Sequence, residues 1–251
     1  MSITSRRTLI RSGFAAAAGV SGLAIATRLA RRSGLIPPDN VGVYGLGETL
    51  NYAVHRLTSQ STAREFPPSE ISKKPFVNEM APPTAEFKRL QAGGFAEWRL
   101  AVDGMVERPA SLSLVQVKSS PSRSQITHLA CEEGWSYIAK WTGTPLAHVL
   151  EHVGVHPKAK YVVYFSIEKD WWDSIDLDEA RHPQTLLAYG LNDRELPVGN
   201  GGPLRMRLPR QLGYKNVKFI TRLTLTDDLK KFGKGLGSAS PEGGYAWYAG
   251  I

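Results

Sequence analysis

The chain of 251 residues has one cysteine, Cys131, and little excess charge beyond its first segment. A single cysteine excludes a disulfide within the chain, so packing must hold the fold together. The formal net charge is +8, but residues 1–38 contain six arginines and neither a lysine nor an acid. Subtracting those six charges leaves +2 for the rest, which is too small an excess to indicate a nucleic-acid partner.

Residues 1–34 are predicted to be a targeting signal or anchor. SRRTLI, starting at Ser5, resembles a twin-arginine export signal, and an uncharged stretch of about fourteen residues follows at 14–27, short for a ~20-residue membrane span. Ala24-Ile25-Ala26 is a candidate cleavage site, although the arginines that follow leave retention as an anchor open. A mitochondrial-type or accidental basic helix is the alternative. This signal predicts an exported protein, either periplasmic or membrane-anchored. Because the twin-arginine route carries folded proteins, typically with a cofactor inserted, it also hints at a cofactor.

Residues 35–94 are predicted to be a proline-rich N-terminal extension that packs on the core. Pro-Pro pairs recur along it and block helices and central strands, although residues 48–57 could form a short helix. Residues 95–251 are predicted to form one α+β domain with mixed or antiparallel sheets and few helices, because strand patterns dominate and no βαβ rhythm appears. The elements predicted there are a hairpin turning at Asp103-Gly104, strands at 124–131, 159–167, 203–209 and 217–227, a helix at 145–153, and a hairpin turning at Asn192-Asp193.

Several motifs have a plainer interpretation than the chemistry that their spacing suggests. His148, Glu151 and His152 fit a zinc-peptidase spacing, but 100° per residue puts them on the helix face opposite the apolar stripe, which favours solvent. The glycines at 42–47 lack the flanking strand and helix of a phosphate loop. Glu132 and Glu133 could be an acid/base pair, but sequence neighbours rarely face one point.

Trp171-Trp172 and Cys131 keep more than one interpretation on composition alone. The two tryptophans cannot both point inward from one strand, so they form either a pocket wall or a surface loop. Cys131 is a buried inert thiol, a nucleophile or a metal ligand. A nucleophile would want a histidine partner, and His128 lies on the opposite face of the same predicted strand. A metal would need ligands that no other thiol of this chain supplies.

Several segments, in order, resemble the sulfite oxidase family of molybdenum enzymes, and most of all its exported bacterial branch that includes the periplasmic methionine-sulfoxide reductase catalytic subunit. The resemblance spans about residues 95–251, and its segments are CEEGWS from Cys131, WTGTPL from Trp141, IDLDEA from Ile175, HPQTLL from His182, LP from Leu196, NGGPLR from Asn200, GYKNVK from Gly213 and GYAWY from Gly244. It implies a single molybdopterin-binding domain whose molybdenum is ligated by the Cys131 thiolate, since the pterin dithiolene brings two more sulfurs. A soft thiolate suits such a metal.

The resemblance also implies cofactor contacts. Asn200 and Arg205 match the pair that binds the phosphate-bearing end of the molybdopterin, for which a guanidinium fork is apt. The loop Asn216, Val217 and Lys218 would offer backbone amides and a lysine charge. Ser166 and Asn78 match further pterin contacts of the family, and the tryptophans Trp135, Trp171 and Trp172 are candidates for the substrate-side wall.

Two departures from the family bear on the substrate. Sulfite oxidases hold their anion with arginines at the positions of Ser136 and Val77 in this chain, so a sulfoxide is favoured over sulfite. The expected activity is two-electron oxygen-atom transfer that reduces a small-molecule or protein-bound sulfoxide. Electrons would come from a separate membrane haem or quinone-linked subunit, or a cytochrome. The alternatives are a sulfite dehydrogenase that passes electrons to a cytochrome and a non-catalytic binding protein with the same fold.

Overall fold

A computed structural model describes residue 25 and residues 28–30, 35–38, 45–58, 61–78 and 81–251. The predicted export signal lies almost wholly outside these residues, as do Gly42 and its immediate neighbours. Within the described ranges, no helix is both long enough and apolar enough to cross a bilayer.

The described elements are six helices and ten strands, and most of the helices are short. The helices are α1 (Gly45–Leu57), α2 (Ala85–Ala92), α3 (Leu114–Ser119), α4 (Leu146–Val153), α5 (Leu177–Arg181) and α6 (Ala239–Glu242). The strands are β1 (Arg99–Gly104), β2 (Ala110–Ser113), β3 (Arg123–Ala130), β4 (Ser136–Pro145), β5 (Tyr161–Ser166), β6 (Trp172–Asp176), β7 (Leu186–Leu191), β8 (Arg194–Glu195), β9 (Arg205–Arg207) and β10 (Ile220–Thr226). Single 3-10 turns occur at Pro68–Glu70, Val198–Asn200, Gly213–Lys215 and Leu229–Lys231.

The strands form two sheets. The first has the order β2-β1-β10-β5-β6, in which β1 and β10 are parallel and the other pairs antiparallel. The second has the order β3-β4-β7-β8, with β9 also paired to β7, and is antiparallel throughout. The predicted α+β class with mixed or antiparallel sheets is confirmed.

Helix α4 closes the main apolar core between the sheets. Its Leu146, Val149, Leu150 and Val153 are all buried in one cluster with residues of both sheets. Glu151 and His152 are exposed, as the helical periodicity predicts. Among the described residues, no group of three or more His, Cys, Asp or Glu side chains is placed to hold a metal ion.

The second predicted hairpin is confirmed and the first is only partly right. Asn192 and Asp193 both have positive φ, 51° and 61°, and turn β7 into β8. Gly104, however, does not turn the chain: β1 runs through it and reaches its antiparallel partner β2 only after a further loop. Gly104 has φ 81°, and a Cβ there would lie 2.2 Å from the carbonyl oxygen of Leu225. Glycine is therefore needed for the close approach of β10.

The N-terminal extension contains more structure than its prolines suggest. The short helix predicted at 48–57 is confirmed as α1, whose Tyr52 donates a hydrogen bond to the Asp176 carboxylate. Helix α2 was not predicted; Thr84 caps it by accepting from the Phe87 amide, and Phe87 and Leu90 are buried. Residues 61–78 run across the second sheet, where Glu65 forms an antiparallel bridge with Thr127.

Two buried cations carry their own counter-ions. Lys215 is fully buried and donates to the Asp173 carboxylate and, at 2.8 Å, to the Ser174 carbonyl. Arg210 donates to the Glu179 carboxylate at 2.7 Å, and both side chains are less than 10% exposed. Both pairs join loops near the C-terminal segment to the strand β6 and the helix α5.

Candidate cofactor and active site

Cys131 lies in the tight loop between β3 and β4, where the chain leaves the second sheet. Its amide donates to the Trp135 carbonyl at 3.0 Å, and its carbonyl accepts from the Gly134 amide at 3.1 Å. Gly134 has φ 89°, a conformation that side-chain-bearing residues rarely adopt. This loop geometry brings the half-buried thiol to the wall of a cleft rather than into the core.

Gly213 packs directly against the thiol. A Cβ on Gly213 would lie 2.9 Å from both Cβ and Sγ of Cys131, which is closer than real contacts allow. The glycine therefore lets the loop at 213–218 approach the thiol, and any larger residue would have to push the loop or the cysteine aside.

The electrostatics around the thiol disfavour a nucleophile. Burial, reinforced by a hydrogen bond from Sγ to the Glu132 carboxylate at 2.9 Å, raises the pKa of Cys131 to about 12. A nucleophilic cysteine needs the opposite, a nearby cation that lowers its pKa. His128 points elsewhere, since its ring makes an edge contact with Phe66. A coordinated metal cation, in contrast, deprotonates a thiol outright.

Two buried guanidinium groups lie side by side next to this cleft. Arg205 donates to the carbonyls of Asn200 and Asn216, both at 2.7 Å. Arg207 donates to the Asn216 side-chain oxygen at 3.0 Å and to Thr127 and the His128 carbonyl. Every one of these acceptors is neutral.

The same two arginines lack a counter-ion among the described residues. They form no ion pair there, and both Nε atoms are buried without a hydrogen-bond partner. Burial lowers the pKa of Arg205, while burial and then the proximity of Arg205 lower the pKa of Arg207 to about 9. The Trp141 ring lies 5.3 and 5.2 Å from the two guanidinium carbons and offers only a weak cation–π contact. An anion from outside the chain would supply the missing charge.

Lys218 brings a third cation to the cleft and links it to the N-terminal extension. Its Nζ donates to the Asn78 side-chain oxygen at 3.0 Å and to the Gly199 carbonyl at 2.9 Å. Two residues before Asn78, Phe76 stacks on Trp135 with ring centroids 5.0 Å apart. The extension thus forms part of the cleft wall.

The cleft brings together eight of the eleven residues singled out from the sequence. These eight are Asn78, Cys131, Trp135, Trp171, Arg205, Asn216, Val217 and Lys218. The remaining lining residues are Glu132, Glu133, Gly213 and Tyr214.

Three of the residues singled out do not line this cleft. The Ser166 hydroxyl accepts from the Glu168 amide, and the Asn200 side chain donates to the Phe76 carbonyl. Trp172 lies on β6, stacked against Phe165. The cofactor contacts at Ser166 and Asn200, like those at the residues that line the cleft, stay predictions.

Sequence reasoning missed Arg207 and Tyr214 as site residues. Arg205 and Arg207 are two apart on β9, and residues two apart on a strand share a face. The alternating segment PLRMRLP therefore contained the signal for a paired guanidinium site. Tyr214 belongs to the same GYKNVK segment as the family-matched loop 216–218, and this position was the only signal in the sequence for its place in the site.

The residues fit a group that combines a phosphate with a metal needing one protein thiolate. The uncompensated guanidinium pair and Lys218 suit an anionic phosphate, and Cys131 is the one thiol. A lone thiol and three cations in or beside one cleft are the groups that a molybdopterin-binding oxidoreductase domain would need to hold its cofactor. The chain matches the model of the oxidoreductase molybdopterin binding domain over residues 88–232, and it belongs to that family.

Curated relatives narrow the comparison. The chain is 34% identical over 183 residues to a putative protein-methionine-sulfoxide reductase subunit, YedZ1, of Azospira oryzae, covering 73% of this chain and 66% of the relative. It is 36% identical to the protein-methionine-sulfoxide reductase catalytic subunit MsrP of Xanthomonas axonopodis, covering 61% of this chain and 52% of that protein. The chain thus spans about half to two thirds of the length of these relatives.

A solved structure supports the fold. The sulfane dehydrogenase SoxCD of Paracoccus pantotrophus superposes with a TM-score of 0.51 at 21% identity, over 53% of this chain and 39% of that one. This likeness bears on the architecture alone.

Proposed function

We propose that this chain is an exported molybdenum-cofactor oxidoreductase that reduces a sulfoxide by two-electron oxygen-atom transfer. The observation that carries the proposal is the placement of the lone thiol on the wall of a cleft, beside two buried guanidinium groups that have no counter-ion among the described residues.

The residues divide the work of holding the cofactor. Cys131 would be the protein ligand to molybdenum, and Arg205 and Lys218, backed by Arg207, would hold the phosphate. Asn216 orders the loop because its side chain is already committed to Arg207, the Leu208 amide and the Leu212 carbonyl. When bound, the cofactor supplies the two-electron oxygen-atom exchange.

The substrate side of the cleft favours an uncharged sulfoxide over sulfite. Trp135 and Trp171 line it, and the positions where sulfite oxidases place arginines are Ser136 and Val77. A dianion would find two carboxylates, Glu132 and Glu133, at that edge. The reductase names of the curated relatives support a sulfoxide, either small or protein-bound.

The electron donor is proposed to be a separate membrane haem or quinone-linked subunit, reached after twin-arginine export to the periplasm. The arginine pair and uncharged stretch of the N-terminal segment support this location. An exposed apolar stripe on α1 supports contact with a membrane or a membrane-bound subunit; it consists of Leu46, Leu50, Val54 and Leu57.

The test is metal analysis on protein exported by a host that makes the cofactor. We expect near-stoichiometric molybdenum in the wild type. In Cys131→Ala, we expect an altered molybdenum spectrum and a loss of sulfoxide reduction of about 100-fold or more. Ser111→Ala, on an exposed strand residue, is the matched control and should behave as wild type.

Two results would count against the proposal. The absence of molybdenum from well-folded wild-type protein would contradict the proposed molybdenum enzyme. Faster turnover of sulfite than of any sulfoxide would show that the protein is a sulfite dehydrogenase instead.

A further inference from the structure

A second cavity adjoins the Cys131 cleft. The two share Glu132, Glu133, Trp171, Tyr214 and Val217. The second cavity adds Trp172 and Asp173 from β6, and Ala239, Ser240, Gly243 and Tyr245 from the C-terminal segment. It is therefore a continuation of the substrate side of the cleft, away from the phosphate-binding cations.

Aromatic rings wall this cavity, and three of them, Trp172, Tyr214 and Tyr245, pack on neighbouring rings. Trp172 packs on Phe165 and Phe232 with ring centroids 6.0 and 6.2 Å away. The Tyr214 hydroxyl donates to the Ala246 carbonyl at 2.8 Å, and its ring lies 5.2 Å from that of Tyr245. Trp171 and Tyr245 remain 43% and 45% exposed, so their faces are available to a ligand.

The charge of this cavity is opposite to that of the phosphate side. Three carboxylates line it, but Asp173 is neutralised by Lys215. Glu132 and Glu133 make no ion pair with any described cation; Glu132 accepts from the Cys131 thiol and Glu133 from the Trp135 indole, at 2.9 and 2.6 Å. Among the described residues that line the cavity, none is a lysine or an arginine.

We propose that this second cavity is a subsite for the non-reacting part of the substrate, and that it selects apolar or cationic groups and rejects anionic ones. Aromatic faces attract cations as well as apolar surface. Two carboxylates without counter-ions add attraction for a positive charge and repulsion for a negative one. The inference rests on the proposed sulfoxide reductase, whose substrate class it narrows to neutral and cationic sulfoxides.

The test uses three aryl methyl sulfoxides that differ only at the para position: hydrogen, trimethylammonium and carboxylate. Binding to the protein as isolated is measured by calorimetry without a reductant, so that no turnover occurs, and KM for each is then measured with a reductant. We expect the cation to bind about tenfold more tightly than the anion, with the neutral compound between them.

Variants assign the selectivity to the cavity. The double change Glu132→Gln and Glu133→Gln should bring the cation and anion within about twofold of each other, because a charge-free rim leaves only the aromatic preference. Glu151→Gln, an exposed charge on α4 outside both cavities, should leave the tenfold ratio intact. Trp171→Ala should weaken all three compounds.

Equal affinities for the three compounds, a preference for the anion, or no measurable binding of any of them would overturn the inference. These failures are separable from those of the proposed function. Sulfoxide turnover without charge selection would leave the reductase standing, whereas cation-selective binding with no turnover by molybdenum-loaded protein would leave only the subsite.

Discussion

Two groups of buried cations in this domain differ in whether a carboxylate of the chain neutralises them. Lys215 and Arg210 each face a buried carboxylate, Asp173 and Glu179. Arg205 and Arg207 are equally buried but donate only to neutral oxygens. Among the described residues, the first group has carboxylate partners and the second has none, so we propose that an anionic ligand neutralises the second group. The presence or absence of a carboxylate partner therefore distinguishes the structural cations from the candidate ligand-binding ones, which burial alone does not.

Breaking a paired cation should have the largest effect. Asp173→Asn leaves the Lys215 ammonium buried without its counter-ion, so we expect the free energy of unfolding to fall by about 3–5 kcal/mol. Chemical denaturation of the purified protein measures this. Asp193→Asn, in the exposed pair with Lys140, is the matched control and should cost about 0.5 kcal/mol or less. Similar losses in both variants would show that Lys215 does not depend on Asp173.

A neutral histidine beside the paired cations should produce a pH dependence of intermediate size. Burial first, and the nearby Arg210 second, lower the pKa of His182 to about 4 from an ordinary 6.5. The unfolded chain therefore takes up a proton near pH 6.5, before the folded chain does, and folding stability falls as the pH falls toward 4. Between pH 7 and pH 5 we expect a loss of about 2 kcal/mol.

Denaturation of His182→Gln, compared with wild type at both pH values, isolates this contribution. The variant should be less stable at pH 7, because it loses the hydrogen bond with the Ser61 carbonyl, but its own change between the two pH values should be smaller. Parallel losses of stability in the two proteins would assign the pH effect to other groups.

The smallest expected effect is a gain in stability when an added anion binds Arg205 and Arg207. Inorganic phosphate at about ten times its dissociation constant should stabilise the cofactor-free protein by about 1.4 kcal/mol, a rise in Tm of about 3 °C. Arg205→Gln should abolish that rise, whereas Arg222→Gln, at an exposed ion pair with Asp103, should keep it. A rise of the same size in Arg205→Gln would remove the phosphate role from this pair.

Local patterns predicted much of the fold. The strand ending at Cys131, the amphipathic α4 and the turn at Asn192-Asp193 all follow from periodicity and turn chemistry within a few residues. Helix α2 also had a local signal, the cap Thr84 with Phe87 and Leu90 at helical spacing, which the neighbouring prolines obscured.

Other errors come from contacts between distant segments. Asp103-Gly104 has the composition of a turn, but the glycine serves the approach of Leu225, more than a hundred residues later. Strand β6, which begins at Trp172, was not predicted. It depends on pairing with β5 and on the contact between Trp172 and Phe165. Likewise, the alternation at 203–209 shows which arginines share a face, but not that this face is buried without a carboxylate.

The contact between Asn78 and Lys218 spans 140 residues of sequence, and that between Phe76 and Asn200 spans 124. During synthesis, the chain that carries Asn78 is therefore made long before the lysine that it meets. The cleft cannot be finished until residue 218 has left the ribosome. A nascent chain interrupted between residues 131 and 218 has the thiol but not the completed cleft, so uptake of the proposed cofactor requires synthesis through residue 218.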